Sequence, residues 1–192
     1  SNFYNLQSKS INWQRLDQVI RLAIRFLDNG IDVSSYPIPQ VKKMVQSNRR
    51  IGLGIMGWAD LLYQLEIPYN SPEAFSLAEK LSHFIYSISH HESENLAQEK
   101  GVFPNWKGSS YEQKGIKQRN LAITTIAPTG TISMLANCSS GIEPVFLLSY
   151  TKNVVDEEGL YYVNPIFEKR LKQEIKDEDL YQEIIQKILK TG

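Results

Sequence analysis

Apolar residues recur at three- and four-residue steps through Trp13, Leu16, Val19, Ile20, Ala23, Ile24 and Leu27. That spacing places them on one face and predicts a helix from about Asn12 to Asp28, closing near Gly30. Tyr36–Pro39 breaks the pattern. A short helix is expected over Gln40–Ser47 and a second from about Ile51 to Leu65, stopped by Pro68. Ser71-Pro72-Glu73 combines an N-cap, a proline at the first helical position and an acidic first turn, so a long helix should run from Pro72 to about Lys100, with Gly101 ending it. The stretch Phe103–Lys117 reads as loop.

The periodicity then changes. Ala122–Ala127 is apolar and β-branched, the signature of a strand. A second strand is expected over Val145–Lys152, a turn near Asp156–Gly159 and a third strand at Leu160–Val163, the last two strands forming a hairpin. Tyr161-Tyr162 falls in this region, where aromatic residues are common packing residues of strands. From Pro165 the pattern returns to helix, with Ile166, Phe167, Leu171, Ile175, Leu180, Ile184, Ile185 and Leu189 as its apolar positions. The chain thus divides into residues 1–117, mostly helical, 118–164, strands with an intervening loop, and 165–192, C-terminal helices. Its class is α/β with a helix-rich N-terminal half.

Composition narrows the function classes. The 192 residues are 42% hydrophobic and 22% charged, ordinary values for one globular core. Lys+Arg and Asp+Glu number 21 each, so no global basic field attracts nucleic acid, and nucleotide recognition has to be local. No apolar run approaches bilayer length and no signal-peptide core is present, which points to no membrane partner and a cytoplasmic setting. A single cysteine, Cys138, rules out an intrachain disulfide. It reads as a small half-buried residue.

The candidate chemistry lies where the strand at Ala122–Ala127 meets Pro128-Thr129-Gly130-Thr131. Pro128 has no N–H to donate, and Gly130 lets the backbone approach a ligand with no Cβ in the way. The amides of Thr129 to Ser133, at the start of a helix, would face an anion, and oriented amides with the helix dipole hold phosphate without a lysine. The hydroxyls of Thr129, Thr131 and Ser133 add donors. The absence of Gly-Lys-Ser/Thr argues against a Walker loop. Glu143 lies close in sequence and is expected to bond backbone amides that shape the cradle, a supporting role rather than acid-base catalysis.

PTGTIS followed by CSSGIEP and an aromatic-aliphatic strand resembles the catalytic large subunit of ribonucleotide reductase, most closely the adenosylcobalamin-dependent class II enzymes. Asn48–Leu62 (NRRIGLGIMGWADLL), Tyr36–Pro39, Glu99–Trp106 (EKGVFPNW) and Asn120–Thr125 extend the likeness, and Leu160–Phe167 (LYYVNPIF) does so more loosely. The resemblance implies a segment of the ten-stranded α/β barrel whose residues Pro128, Thr129, Gly130, Thr131, Ile132 and Ser133 hold the phosphates of a ribonucleoside diphosphate or triphosphate. It implies adenosylcobalamin as the radical generator of the full enzyme, with a di-metal radical subunit as the alternative, and none bound by this segment alone. The family's thiyl-forming cysteine and dithiol pair have no counterpart in a chain with one thiol, so no catalytic residue is expected here and the isolated chain should be inactive. The family pattern also implies a middle-to-late piece of the barrel that works with the remainder of the reductase chain and tends to self-associate. Ser1-Asn2 is compatible with a tag-cleavage remnant. A stand-alone, non-catalytic nucleotide-binding module is the other class of reading.

Two further patterns resolve differently. Gly52-Leu53-Gly54-Ile55-Met56-Gly57 spells Gly-x-Gly-x-x-Gly, but it follows Ser-Asn-Arg-Arg rather than an apolar strand and no acidic residue ends a second strand about 20 residues on. Its glycines are expected to let a helix pack close to a neighbour. His90, His91, Glu92 and Glu94 resemble a metal set, yet adjacent helical positions point about 100° apart. A solvated helix face is the expectation there.

Overall fold

The computed structural model describes residues 3–5, 7–154 and 157–191, with only the backbone described at 150–162 and 191. Ser1-Asn2, and Asp156 of the expected turn, lie outside the described residues, as do the side chains of Tyr161 and Tyr162.

A two-residue ribbon opens the chain, β1 (Tyr4–Asn5) antiparallel to β2 (Ser10–Ile11). Helix α1 spans Trp13–Val33, started by Asn12, whose side chain accepts the Arg15 N–H. Its inward face is Leu16, Ile20, Ile24 and Asp28. The helix does not close near Gly30. It continues one turn because Asp28 and Asp32 both reach Arg49, a tertiary tie that outweighs the modest cost of a mid-helix glycine. Helix α2, Pro39–Asn48, ends on Arg49 in the left-handed conformation (φ 47°). That turn buries the Arg49 guanidinium, which donates to Asp28 Oδ1 at 2.9 Å and Asp32 Oδ1 at 2.7 Å.

The expected helix over Ile51–Leu65 is only half present. Helix α3 covers Trp58–Leu65, whereas the preceding residues are extended, held against 122–125 by Ile51 N–H to Ala122 O (2.9 Å), Leu53 N–H to Ile123 O (2.8 Å) and Thr125 N–H to Leu53 O (2.9 Å). The pairing is parallel, with Leu53 opposite Thr124. Close packing is indeed what the glycines allow, but against a strand: a Cβ at Gly52 would lie 2.9 Å from Thr125 Cγ2, and one at Gly54 2.9 Å from the Thr125 carbonyl oxygen. The strand expected over Ala122–Ala127 is correspondingly short, one parallel bridge rather than a full ladder.

Helix α4 runs from Pro72 to Lys100 as the sequence indicates, with Ser71 Oγ capping Ala74 N–H and Gly101 (φ 84°) ending it. It packs along α1. Its His90–Glu94 stretch is not a solvated face: Glu92 is buried and accepts from Arg25 Nε at 2.5 Å and Arg21 Nη1 at 3.3 Å. His90 and Glu94 instead meet Gln118, whose Nε2 lies 3.3 Å from His90 Nδ1 and 3.4 Å from Glu94 Oε1. Burial pushes the His90 imidazole below its ordinary value. The expected loop at Phe103–Lys117 contains a 3-10 turn, Pro104–Trp106, and the short helix α5, Ser110–Gln113.

After the extended 122–127 segment comes α6 (Gly130–Leu135), then β3 (Ser149–Val154) antiparallel to β4 (Glu157–Val163), the expected hairpin. The final helical stretch is two helices, α7 (Pro165–Glu174) and α8 (Glu178–Thr191). Asn164 caps the first, and Asp177 accepts the amides of Asp179 and Leu180 to start the second. The core joins Leu16, Ile20 and Ile24 of α1, Trp58 and Leu62 of α3, Leu81, Ile85 and Leu96 of α4, and Ile123. The helix-rich half is therefore as expected, while the sheet is small and no closed barrel forms among the described residues.

Candidate functional site: an open turn clamped to a helix start

The extended segment 122–127 delivers Pro128 and Thr129 to the protein surface beside the N-terminus of α3. Thr129 is left-handed (φ 56°, ψ 27°), an unfavourable conformation for a β-branched residue, and serves as the N-cap position of α6. It is held there by the amide of Gly141, which donates to Thr129 Oγ1 at 2.7 Å. The amides of Thr129, Gly130, Thr131 and Ile132 have no acceptor among the described residues. Gly130, Thr131 and Ile132 are exposed, and a Cβ placed on Gly130 would meet nothing within 4 Å. Free donors therefore border open space, the arrangement an anion needs.

Two expectations are refined by the geometry. Ser133 is 2% exposed, its amide is spent on Thr129 O (2.9 Å), and its hydroxyl bonds Gly130 O (3.3 Å) and Ser140 Oγ (3.0 Å), so it shapes the turn from behind. Helix α6 has only six residues, so the individual amides matter more than any macrodipole. The sequence between Arg119 and Lys152 holds no Lys or Arg, so nothing cationic in this stretch competes with the amides as the anion's partner.

The supporting carboxylate is not Glu143. That residue is exposed, and the bond it makes is from its own amide to Ser140 O (3.0 Å). Asp60, in the first turn of α3 and 3% exposed, does what was expected of Glu143: its Oδ2 accepts the Ser139 amide at 2.7 Å, and its own amide donates to Ser139 Oγ at 3.3 Å. Gly57 N–H to Ser139 O (2.8 Å) and Trp58 N–H to Gly141 O (3.4 Å) complete the clamp. Gly141 permits it, since its φ is +45° and an added Cβ would sit 2.7 Å from Ala127 O. Asp60 and Ser139 lie 79 positions apart. The sequence does not mark Asp60, since the helix expected from about Ile51 places it mid-helix, and only the later start at Trp58 puts it in a first turn.

Cys138 is half-buried beneath this turn, against an apolar cavity of about 240 Å³ that it shares with Met56, Trp58 and Ala136. Burial pushes its thiol up from the ordinary value and the Asp60 carboxylate pushes it further, which disfavours the nucleophilic thiolate.

The family model for the ribonucleotide reductase barrel domain matches residues 1–191. The chain belongs to that family. A vitamin B12-dependent ribonucleoside-diphosphate reductase of Thermoplasma acidophilum is 47% identical over 98% of this chain and 24% of the relative. A reductase of the same name from Mycobacterium tuberculosis is 42% identical over 95% of the chain and 26% of the relative. The ribonucleoside-diphosphate reductase alpha subunit of Chlamydia pneumoniae is 27% identical over 80% of the chain. The chain spans about a quarter of the length of the vitamin B12-dependent relatives it matches. The parallel pair 51–53 and 122–125 brings two extended segments together, and the turn after the second lies beside α3.

Proposed function

We propose that this chain is the part of a ribonucleoside-diphosphate reductase that seats the phosphates of the substrate while the ribose is converted to deoxyribose. The seat is Pro128, Thr129, Gly130, Thr131, Ile132 and Ser133. The first five border the ligand, with four free amides and the Thr131 hydroxyl as donors, and Ser133 braces the turn. The observation carrying this reading is the run of unpaired amides from Thr129 to Ile132 at an exposed turn with open space at Gly130, in a chain of the reductase family.

The contribution to catalysis is positional. A diphosphate fixed at one end fixes where the ribose lies, and orientation of that kind accounts for much of the rate in reactions between held groups. The radical chemistry belongs to parts of the parent protein outside this chain. The closely similar relatives are named as vitamin B12-dependent, which supports adenosylcobalamin as the cofactor of the intact enzyme. The residues present here do not fit that group's chemistry: the one cysteine is half-buried with a raised pKa, and the reduction needs a dithiol. A cytoplasmic setting accords with thiol-based reduction, and no described helix is long and apolar enough to cross a membrane.

Calorimetric titration of a ribonucleoside diphosphate into the chain and into Gly130→Val tests the seat. The variant adds bulk where the structure has open space, so it should fold normally and lose binding at least tenfold. Unchanged titration heats would show that the phosphates bind elsewhere.

A further inference from the structure

The placement of Asp60 raises a question of sign. A buried carboxylate behind a turn that is to hold an anion repels that anion, so its presence has to rest on something other than ligand attraction. A carboxylate only accepts hydrogen bonds. Facing the Ser139 amide at 2.7 Å, it fixes which way that peptide plane points. Its own amide returns a bond to Ser139 Oγ, so the two residues are joined twice. Two residues on, Gly141 receives Trp58 N–H at its carbonyl and gives its own N–H to Thr129 Oγ1. The path therefore runs from α3 through Ser139 and Gly141 to Thr129, the residue at which the run of four free amides begins.

We infer that Asp60 is a positioning residue for the substrate phosphates, holding Thr129 in its left-handed conformation through Ser139 and Gly141 without touching the ligand. The inference rests on the phosphate seat proposed above. It also accounts for the strain at Thr129, since a left-handed threonine persists only where its surroundings over-determine it. The charge itself is dispensable on this account, and what matters is an acceptor at Oδ2. An amide side chain, which keeps one acceptor oxygen and removes the repulsion, should serve.

The test uses the full 192-residue chain, labelled for amide resonances, with inorganic pyrophosphate as the probe. Asp60→Ala should move the amide resonances of Thr129 to Ile132 and weaken pyrophosphate at least tenfold. Asp60→Asn should restore both to near the starting values, with affinity within about threefold. Loop amides unmoved in Asp60→Ala while Ser139 and Gly141 shift would overturn the inference, as would Asp60→Asn behaving like Asp60→Ala. Should Asp60→Ala fail to fold, hydrogen exchange in the unaltered chain decides the matter. Ser139 and Gly141 must open together as one unit, and separate opening overturns the coupling. Absence of pyrophosphate binding by the unaltered chain defeats the seat rather than the coupling, because the resonances of the loop still report whether Asp60 sets its shape.

Discussion

At Gly141 backbone freedom and close approach coincide. Its φ of +45° and the 2.7 Å gap between a notional Cβ and Ala127 O mean that any side chain both strains the backbone and pushes the 138–141 turn off the strand. Gly141→Ala should cost about 2–3 kcal/mol, read as a lower urea midpoint with an unchanged slope. A cost below about 0.5 kcal/mol would mean the turn is not pinned there. Gly130 is the opposite case, with open space around it, so substitution there should spare stability and remove binding. Both glycines stand in the same motif, and the sequence distinguishes neither role. The exposed turn at Thr129, Gly130 and Thr131 was legible because proline, glycine and hydroxyl residues follow an apolar run. Asp60 was not, because its partner lies 79 positions away and nothing local couples them.

Element boundaries were legible wherever capping chemistry is local. Helix α4 begins and ends as Ser71-Pro72 and Gly101 dictate. The failures are tertiary in origin. Residues 51–56 carry a helix-like pattern but become extended because the 122–125 segment offers them main-chain partners, and α1 outruns Gly30 because its last turn is tied to Arg49. That tie is a buried ionic junction. Asp28 is fully buried and meets Arg49 Nε at 2.9 Å, Asn120 Nδ2 at 2.9 Å and Arg119 Nε at 3.4 Å, joining α1 to the end of α2 and to the strand segment. Removing one member of such a cluster leaves buried cations short of a partner, so Asp28→Ala should destabilise by about 3 kcal/mol or more in denaturant unfolding. A loss under about 1 kcal/mol would mean that water or Asp32 takes over the role.

At the scale of the whole molecule, several large apolar side chains are left uncovered among the described residues. Ile126 (73% exposed), Leu135 (85%) and Phe146 (93%) lie open along the strand and loop side, and the parallel pair has uncovered edges. Exposed apolar side chains and strand edges of that kind favour association. The isolated chain should therefore sediment as a concentration-dependent mixture of species and, having one thiol, show no ribonucleotide reduction with adenosylcobalamin and a dithiol. A well-behaved monomer would count against the first expectation, and measurable turnover against the second. The family was legible from short motifs that carry their own chemistry. The barrel itself was legible only as a family expectation, since a sheet of many strands is closed by pairings between distant parts of a chain.

The contact of Thr125 with Gly52 and Gly54 has a mechanical consequence. Two bare glycines flank one residue of the neighbouring strand and act as a detent, because side chains at either position would collide with Thr125. Sliding the second strand by two residues, about 6.6 Å, would carry Pro128 and the amides after it off the mouth of α3. On the proposed seat, the notch would therefore decide where a diphosphate rests relative to the start of α3.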